Sequence, residues 1–361
     1  MNTIMMWIMA AGAVLGGTDR ILGNRLGFGK RFEEGFMLLG ATALSMTGII
    51  CLAPVLADFL ERVAAPLWLA AGLDPATLGG ILAIDMGGYQ LAGELARKSA
   101  MASYAGLVIG ATFGCTITFT IPVGMGMLEQ EDRPLFARGI LTGLGVMPLA
   151  LLVGGLFCGL RVSTVLLQSL PIFLLSFLLM AGIGRFQEKM IRGFGWFAGA
   201  IRILTTIGLI AGAVRYMTGV SLAGDLAPIE EAMGVVSSIG IVMLGSLPVA
   251  ELLKRMLGRP LRWAGKVTGM NETSIAGLLI GIVSPVPAMA MMRDMDDRGK
   301  IVNAAFLVCG ASALAAHMGF TFGTEPDMVV PLLVSKLIGG AAAAIAALIV
   351  TKKPVAVSGR R

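Results

Sequence analysis

The chain has 361 residues, of which 56% are apolar and a further 50 are glycine, while only 14% carry a charge. Soluble domains carry about 25% charged residues and need a polar surface that this composition cannot supply. A soluble enzyme and a disordered or fibrous chain are therefore excluded. The net charge of +6 does not indicate nucleic-acid binding, because membrane proteins collect Lys and Arg in their cytoplasmic loops. The composition predicts an all-α polytopic membrane protein.

Nine stretches are long and apolar enough to be membrane-spanning helices, which need about 20 such residues. In chain order they are 3–17, 35–57, 100–127, 136–159, 164–183, 195–217, 229–252, 301–322 and 329–350. The first stretch is short, but no basic region precedes it, so we interpret it as a retained span and not as a cleaved signal.

Two further apolar segments, 76–93 and 273–292, are interrupted in their middle. The first is broken at Asp85-Met86-Gly87-Gly88 and the second at Ser284-Pro285-Val286-Pro287. Proline removes a backbone donor and glycine weakens a helix, so a straight span is disfavoured in both. The segments 61–72 and 254–268, with Trp68 and Trp263, are predicted to be interfacial helices.

The distribution of basic residues decides how the two broken segments cross the membrane. If all eleven segments span it, Lys and Arg divide 15 to 11 between the two sides. If 76–93 and 273–292 are re-entrant hairpins, 21 lie on one side and five on the other, as the positive-inside rule expects. We therefore predict nine spans and two re-entrant hairpins, with the N-terminus outside and a cytoplasmic C-terminal tail, 352–361.

The two halves of the chain resemble each other at an offset of 194–197 residues. We predict an internal repeat within a single transmembrane domain, 1–361. Its first copy covers about 32–127 and its second about 229–323. The predicted topology makes this repeat inverted, which is the architecture of secondary transporters whose broken helices meet near the midplane. No nucleophile, phosphate-binding or metalloprotease motif indicates an enzyme. The four cysteines lie in apolar segments without ligand spacing, so no metal and no cofactor are expected.

Several motifs, in this order, resemble the ethanolamine permease (EutH) family of the bacterial ethanolamine-utilisation operon. They are the sequences at 31–37, 52–57, 85–88, 94–96, 116–126, 291–306, 317–320 and 336–340. The resemblance implies an ethanolamine transporter that works by alternating access in the bacterial inner membrane. The architecture is analogous to the elevator fold of concentrative nucleoside transporters, and elevator carriers are often homo-oligomers. On the residues alone, a non-transporting scaffold or sensor partner and a small-cation channel remain open.

Ethanolamine is a small ammonium ion at neutral pH, so its site needs negative charge or carbonyl dipoles. Asp85 is the best candidate because a carboxylate inside a membrane is costly and by default functional. Its alternative role is to cap the second half of its broken segment. Gly87 and Gly88 allow a close approach of the backbone to a ligand, or they simply form the turn. Ser284 marks the second break.

Other candidates come with simpler structural alternatives. Thr116, Thr118 and Thr120 do not share one helix face, so either one of them faces the site or the helix is unwound there, which we favour. Phe119 supplies a cation–π face or packs in the core. His317, the only histidine, is a proton-linked switch or a hydrogen-bonded core residue. Glu33 and Glu34 attract the cation at a gate or complement a helix N-terminus.

Overall fold

The computed structural model describes residues 2–82, 85–256, 265 and 267–351, and every regular element within these ranges is helical. Most of the predicted interfacial helix 254–268, including Trp263, lies outside the described residues, and so does the tail 352–361. The α-helices are α1 Asn2–Ile21, α2 Phe28–Val63, α3 Ala65–Ala70, α4 Ala76–Leu82, α5 Gly88–Leu95, α6 Ser99–Ser103, α7 Ile121–Met127, α8 Arg133–Phe157, α9 Val162–Gln168, α10 Leu170–Thr218, α11 Ile229–Met256, α12 Glu272–Val283, α13 Pro285–Ala290, α14 Asp297–Gly310, α15 Ala316–Thr324 and α16 Val329–Val350.

Seven helical segments among the described residues are long and apolar enough to cross a membrane, and one of them is the second part of α10, Glu188–Thr218. The bent pair of α9 with the first part of α10, Leu170–Ile183, supplies an eighth. The segments 164–183 and 195–217 were expected to be separated by a loop. The chain instead stays helical through α10 and leaves helical geometry at Phe186. The short first stretch is extended to 20 residues by α1.

The prediction of a continuous span over 301–322 is wrong. Residues 311–315 form a turn that divides it into α14 and α15. The cause lies in the second broken segment, where Pro285 has no N–H to donate to the carbonyl of Gly281 one turn back. That carbonyl accepts a hydrogen bond from Ser312 N (3.1 Å), and Ile282 O accepts one from Leu314 N (3.0 Å). Two carbonyls left over by one broken helix therefore bond the amides of the other.

The helix over 99–127 is the most enclosed of the candidate spans. Within its apolar window 72% of the residues are buried, against 22% for α1. Between α6 and α7 it is wound as a π-helix over Tyr104–Gly114 and again over Thr116–Thr120. The expected unwinding near the threonines is therefore wrong: the helix is widened and remains hydrogen-bonded. π-helices are rare and are frequent at functional sites.

Glycines let neighbouring long helices pack closely against each other. At the crossing of α2 and α10, a Cβ on Gly48 would collide with the backbone of Thr205, and a Cβ on Gly208 would collide with the Gly48 carbonyl. Gly12 of α1 meets the backbone of Gly245 in α11 in the same way. Small residues serve this purpose in membrane helices because packing, and not hydrophobicity, drives their association.

Candidate functional site

The first broken segment starts and ends at the same place. Asp74 precedes α4 and accepts a hydrogen bond from Ala76 N (3.0 Å), as a helix cap does. The same carboxylate also accepts from the backbone N–H of Arg97, 3.3 Å from Oδ2, just after α5 ends. Gln168 holds the backbone of Asp74 from α9 (2.8 Å). One side chain thus joins the entry and the exit of the segment.

The second broken segment is tied in the same manner. Asn271 caps α12 by accepting from Ser274 N (2.8 Å). Its side-chain amide donates to the carbonyl of Asp294 (3.0 Å), which follows α13, and its own N–H donates to Asp296 (2.9 Å). Asp74 and Arg97 stand at the same offset of 197 residues from Asn271 and Asp294. The equivalent residues of the two halves therefore do equivalent work.

The tips of both broken segments border one apolar cluster, which we call the central cluster. Met86, beside Asp85, is buried in it together with Ala111 of the π-helix and Ala315 of the turn between α14 and α15. Val283, beside Ser284, packs against it from the second segment. The two breaks, the widened helix and the divided span consequently meet in the interior of the helix bundle.

A buried lysine reaches the same region. Lys336 of α16 is 0% exposed, and its Nζ donates to the carbonyl of Ala111 at 2.5 Å. A charged side chain within a membrane-spanning helix is expensive and marks a functional region by default. The amine of Lys336 therefore joins α16 to the widened helix at the central cluster.

The structure places three of the candidates at the first tip. Asp85 opens a 3₁₀ turn, Asp85–Gly87, and its side chain lies outside what the structure describes. The N-cap position of α5 falls on Gly87. Gly87 and Gly88 are both buried, and a Cβ on Gly87 would collide with the side chain of Ile49 in α2. The absence of a side chain at Gly87 thus allows close packing against α2, and not against a ligand.

The candidates in the π-helix are engaged with other parts of the protein. The Thr116 hydroxyl lies within donating distance of Thr112 O (2.8 Å) and of Val308 O in α14 (2.9 Å). The Thr118 hydroxyl donates to Gly114 O (2.9 Å). Phe119 is half-buried and packs on the largest apolar core. These contacts join the widened helix to α14 but do not by themselves indicate a ligand.

Ser284 and His317 lie on either side of the bonds that pair the second break with the divided span. Ser284 is extended between α12 and α13, and its N–H donates to Ile280 O (2.8 Å). His317 is buried in the first turn of α15, and its N–H donates to Ser312 O (3.2 Å). The fold thus gathers the two residues around the same turn.

Glu33 and Glu34 lie apart from this centre and are paired. Glu33 bonds Arg20 of α1 (2.7 Å), and Glu34 bonds Arg31 (2.6 Å). α2 begins at Phe28 and has no acidic residue in its first turn, so the interpretation of these residues as first-turn acids is wrong. Arg20 and Arg31 neutralise much of the negative charge of these two carboxylates, which weakens their attraction for a substrate cation.

Sequence reasoning missed two features of the interior. Lys336 is not among the candidates from the sequence, although a single lysine in the apolar run 329–350 is itself a signal. Glu325 was missed altogether. It follows α15, and its carboxylate accepts from Ser103 Oγ (2.7 Å) and Tyr89 OH (3.4 Å). No sequence pattern places residues 89, 103 and 325 together.

Comparison with known proteins finds relatives along nearly the whole chain. The family model described as "Ethanolamine utilisation protein, EutH" matches residues 1–350. A "Probable ethanolamine permease EutH" of Listeria monocytogenes is 39% identical over 95% of this chain and 92% of its own length. Proteins of the same name from Escherichia coli and Salmonella typhimurium are 37% and 38% identical over 97% of this chain and 94% of their own. No solved structure matches the chain.

Long apolar helices packed around two broken segments and a buried lysine define a multi-pass helical membrane protein. The match over nearly the whole chain then identifies its kind. The chain belongs to the EutH family of ethanolamine utilisation proteins, which confirms the resemblance read from the sequence motifs.

Proposed function

We propose that this protein is a transporter that carries the ethanolammonium cation into the cytoplasm across the inner membrane by alternating access. The observation that carries the proposal is the arrangement of the two broken segments, each closed at its base by one capping side chain and each ending at the central cluster. Transporters bind substrate where discontinuous helices meet, because irregular backbone in a membrane is tolerated around a cavity or inside the protein. The names of the relatives supply the substrate.

The proposed topology has nine spans, two re-entrant hairpins and an inverted repeat over about 32–127 and 229–323 in a single domain. One of the nine spans, 301–322, crosses as the two helices α14 and α15 joined by a turn. A hairpin returns to the side where it began, and the bonds from Asp74 to Arg97 and from Asn271 to Asp294 favour this course. The basic residues favour an external N-terminus and a cytoplasmic C-terminus. Elevator carriers with this kind of repeat assemble as oligomers, and by that analogy we propose a homo-oligomer.

In the proposed site, the substrate ammonium pairs with Asp85 between the two tips. Gly87, Gly88 and Ser284 offer backbone groups, and the hydroxyls of Thr116 and Thr118 border the site in their intrahelical bonds. His317 flanks the second tip. Phe119 remains a candidate cation–π face and Glu33 and Glu34 remain candidate gate residues, but the proposed pairing with Asp85 does not depend on them.

Uptake of labelled ethanolamine into proteoliposomes that contain the purified protein tests the function. Saturable uptake supports a carrier, whereas flux that rises linearly with concentration would indicate a channel. The absence of uptake would favour a scaffold or a sensor partner. Liposomes without protein give the background, and unlabelled ethanolamine in excess must compete.

Single cysteines introduced at 94–99 and at 293–300 test the topology with a membrane-impermeant thiol reagent on intact cells. We expect labelling from outside only at 94–99, and labelling at 293–300 only after the membrane is opened. Labelling of both segments from the same side would contradict the inverted repeat. The unmodified chain is the control, because three of its cysteines are buried and Cys158 is half-buried.

A further inference from the structure

A carboxylate with no basic partner among the described residues lies between three helical segments, beside the central cluster. Glu325 follows α15 and is half-buried. Ser103, 5% exposed, donates to one carboxylate oxygen at 2.7 Å, and the Tyr89 hydroxyl is 3.4 Å from the other. None of the ion pairs among the described residues involves Glu325. The first oxygen is well satisfied and the second is held only by a long hydrogen bond.

Aromatic rings complete this environment. The Tyr89 ring packs edge-to-face on Phe320, with ring centroids 5.7 Å apart, and Phe320 is fully buried. The charge of a half-buried carboxylate beside aromatic rings attracts a cation more strongly than an exposed one does, because less water is present to screen it. Removing a carboxylate from water without a cation is costly, so such a group favours the arrival of one. Aromatic faces add further attraction for an ammonium ion.

The positions of these residues relate the cluster to a route into the protein. Ser103 lies one helical turn inside the start of the central helix at Ser99, and Tyr89 belongs to α5 of the first broken segment. Tyr89 is four residues from Asp85, which is about one turn of helix or 6 Å along its axis. Glu325 therefore connects the first turn of the central helix, at Ser103, with the second half of the first broken segment, at Tyr89. A cation bound at Glu325 would lie about one helical turn from the tip of that segment.

We infer that Glu325, Tyr89 and Ser103 form an outer recognition site for a small hydroxylated primary ammonium ion. The inference rests on the proposed function and adds a second subsite to it. The carboxylate pairs with the ammonium group, which replaces the long bond from Tyr89. The freed Tyr89 hydroxyl can then donate to the hydroxyl of the substrate, and Ser103 Oγ, which still donates to Glu325, can accept from it. The site selects the charged amine before it reaches the tips of the broken segments.

The test is the concentration dependence of uptake by Glu325→Gln in proteoliposomes. The amide keeps the size and the acceptor for Ser103 but removes the charge, so we expect KM to rise about tenfold or more with Vmax changed less than about twofold. Asp327→Asn is the matched control, since Asp327 is an exposed acid two residues away. It should change KM less than about twofold.

The outcomes separate this inference from the proposed function. Normal saturable uptake by the parent with an unchanged KM in Glu325→Gln would overturn the outer site and leave transport standing. Absence of uptake by the parent would instead overturn transport itself. If Glu325→Gln does not fold, as judged by size-exclusion profile and thermal unfolding, Glu325→Asp replaces it. The shorter side chain of Asp draws the carboxylate away from Tyr89, so KM should still rise several-fold. An unchanged KM would overturn the inference.

Discussion

Asp74 and Asn271 occupy equivalent positions in the two halves of the chain and each closes the base of a broken helix. Asp74 accepts from Arg97 N at 3.3 Å, and Asn271 donates to Asp294 O at 3.0 Å. The direction of the hydrogen bond is reversed, because a carboxylate can only accept whereas an amide can also donate. The geometry is kept although the chemistry differs, which indicates that closure of each segment is what the fold requires.

Asp74→Ala should destabilise the protein by ~1–3 kcal/mol, because it leaves the N–H groups of Ala76 and Arg97 without an acceptor. Thermal unfolding in detergent measures the loss, and uptake should fall with it. The control is Asp58→Ala, whose carboxylate is exposed and paired only with Arg62 on the same helix. Equal unfolding temperatures for the two variants would show that the base of the first segment is not tied by Asp74.

Asp85→Asn separates the two roles considered for Asp85. If the carboxylate pairs with the substrate ammonium, removal of its charge should weaken ethanolamine binding by ~2–5 kcal/mol while the protein folds normally. If Asp85 only caps a helix, Asn serves nearly as well. Isothermal titration calorimetry against the parent decides between them, with Asp58→Asn as a control. An unchanged dissociation constant would remove Asp85 from the site and leave the backbone near Ser284 as the candidate.

Gly48→Ala should destabilise the crossing of α2 and α10. An added Cβ would lie 2.6 Å from Leu209 N and would collide with the Thr205 carbonyl, so backbone must move, at a cost of ~1–3 kcal/mol or more. Gly40 of the same helix has nothing within 4 Å of a Cβ. Gly40→Ala should therefore be neutral or stabilise by up to ~1 kcal/mol. The comparison uses thermal unfolding in the same detergent, and a loss of stability only in Gly40→Ala would contradict the packing described.

The ion pair of Lys300 with Asp132 joins α14 to the start of α8 at 2.5 Å, and the two side chains are 11% and 9% exposed. Removal of either charge leaves the other nearly buried without a partner, which costs ~3–5 kcal/mol. Asp132→Asn and Lys300→Met should each lower the unfolding temperature, and the double variant should lose less than their sum.

The exposed pair of Arg293 with Asp294 provides the comparison for that cycle. Arg293→Met should leave the unfolding temperature nearly unchanged, because solvent screens exposed pairs. Strict additivity of Asp132→Asn and Lys300→Met would show that the two charges do not interact.

The helical class, most of the spans and both breaks follow from local sequence. A run of 20 apolar residues crosses a bilayer as a helix because every backbone group is satisfied within the segment. The motifs DMGG at 85–88 and SPVP at 284–287 each bring two helix-disfavouring residues close together, and both coincide with a break. Single prolines do not suffice, since Pro54, Pro148 and Pro248 lie inside continuous helices. The break in 301–322 could not be predicted in this way, since its cause is the carbonyl of Gly281 in another segment.

Composition, the period of apolar sequence and the placement of basic residues by themselves determined that this chain is a multi-pass helical protein with two interrupted segments. These properties depend on neighbours along the chain and on the bilayer. Tertiary structure alone decided that the central helix is widened, that Lys336 lies against Ala111, and that Glu325 meets Tyr89 and Ser103. Such contacts join residues up to 236 positions apart, and they form because buried polar groups must find partners wherever packing brings them.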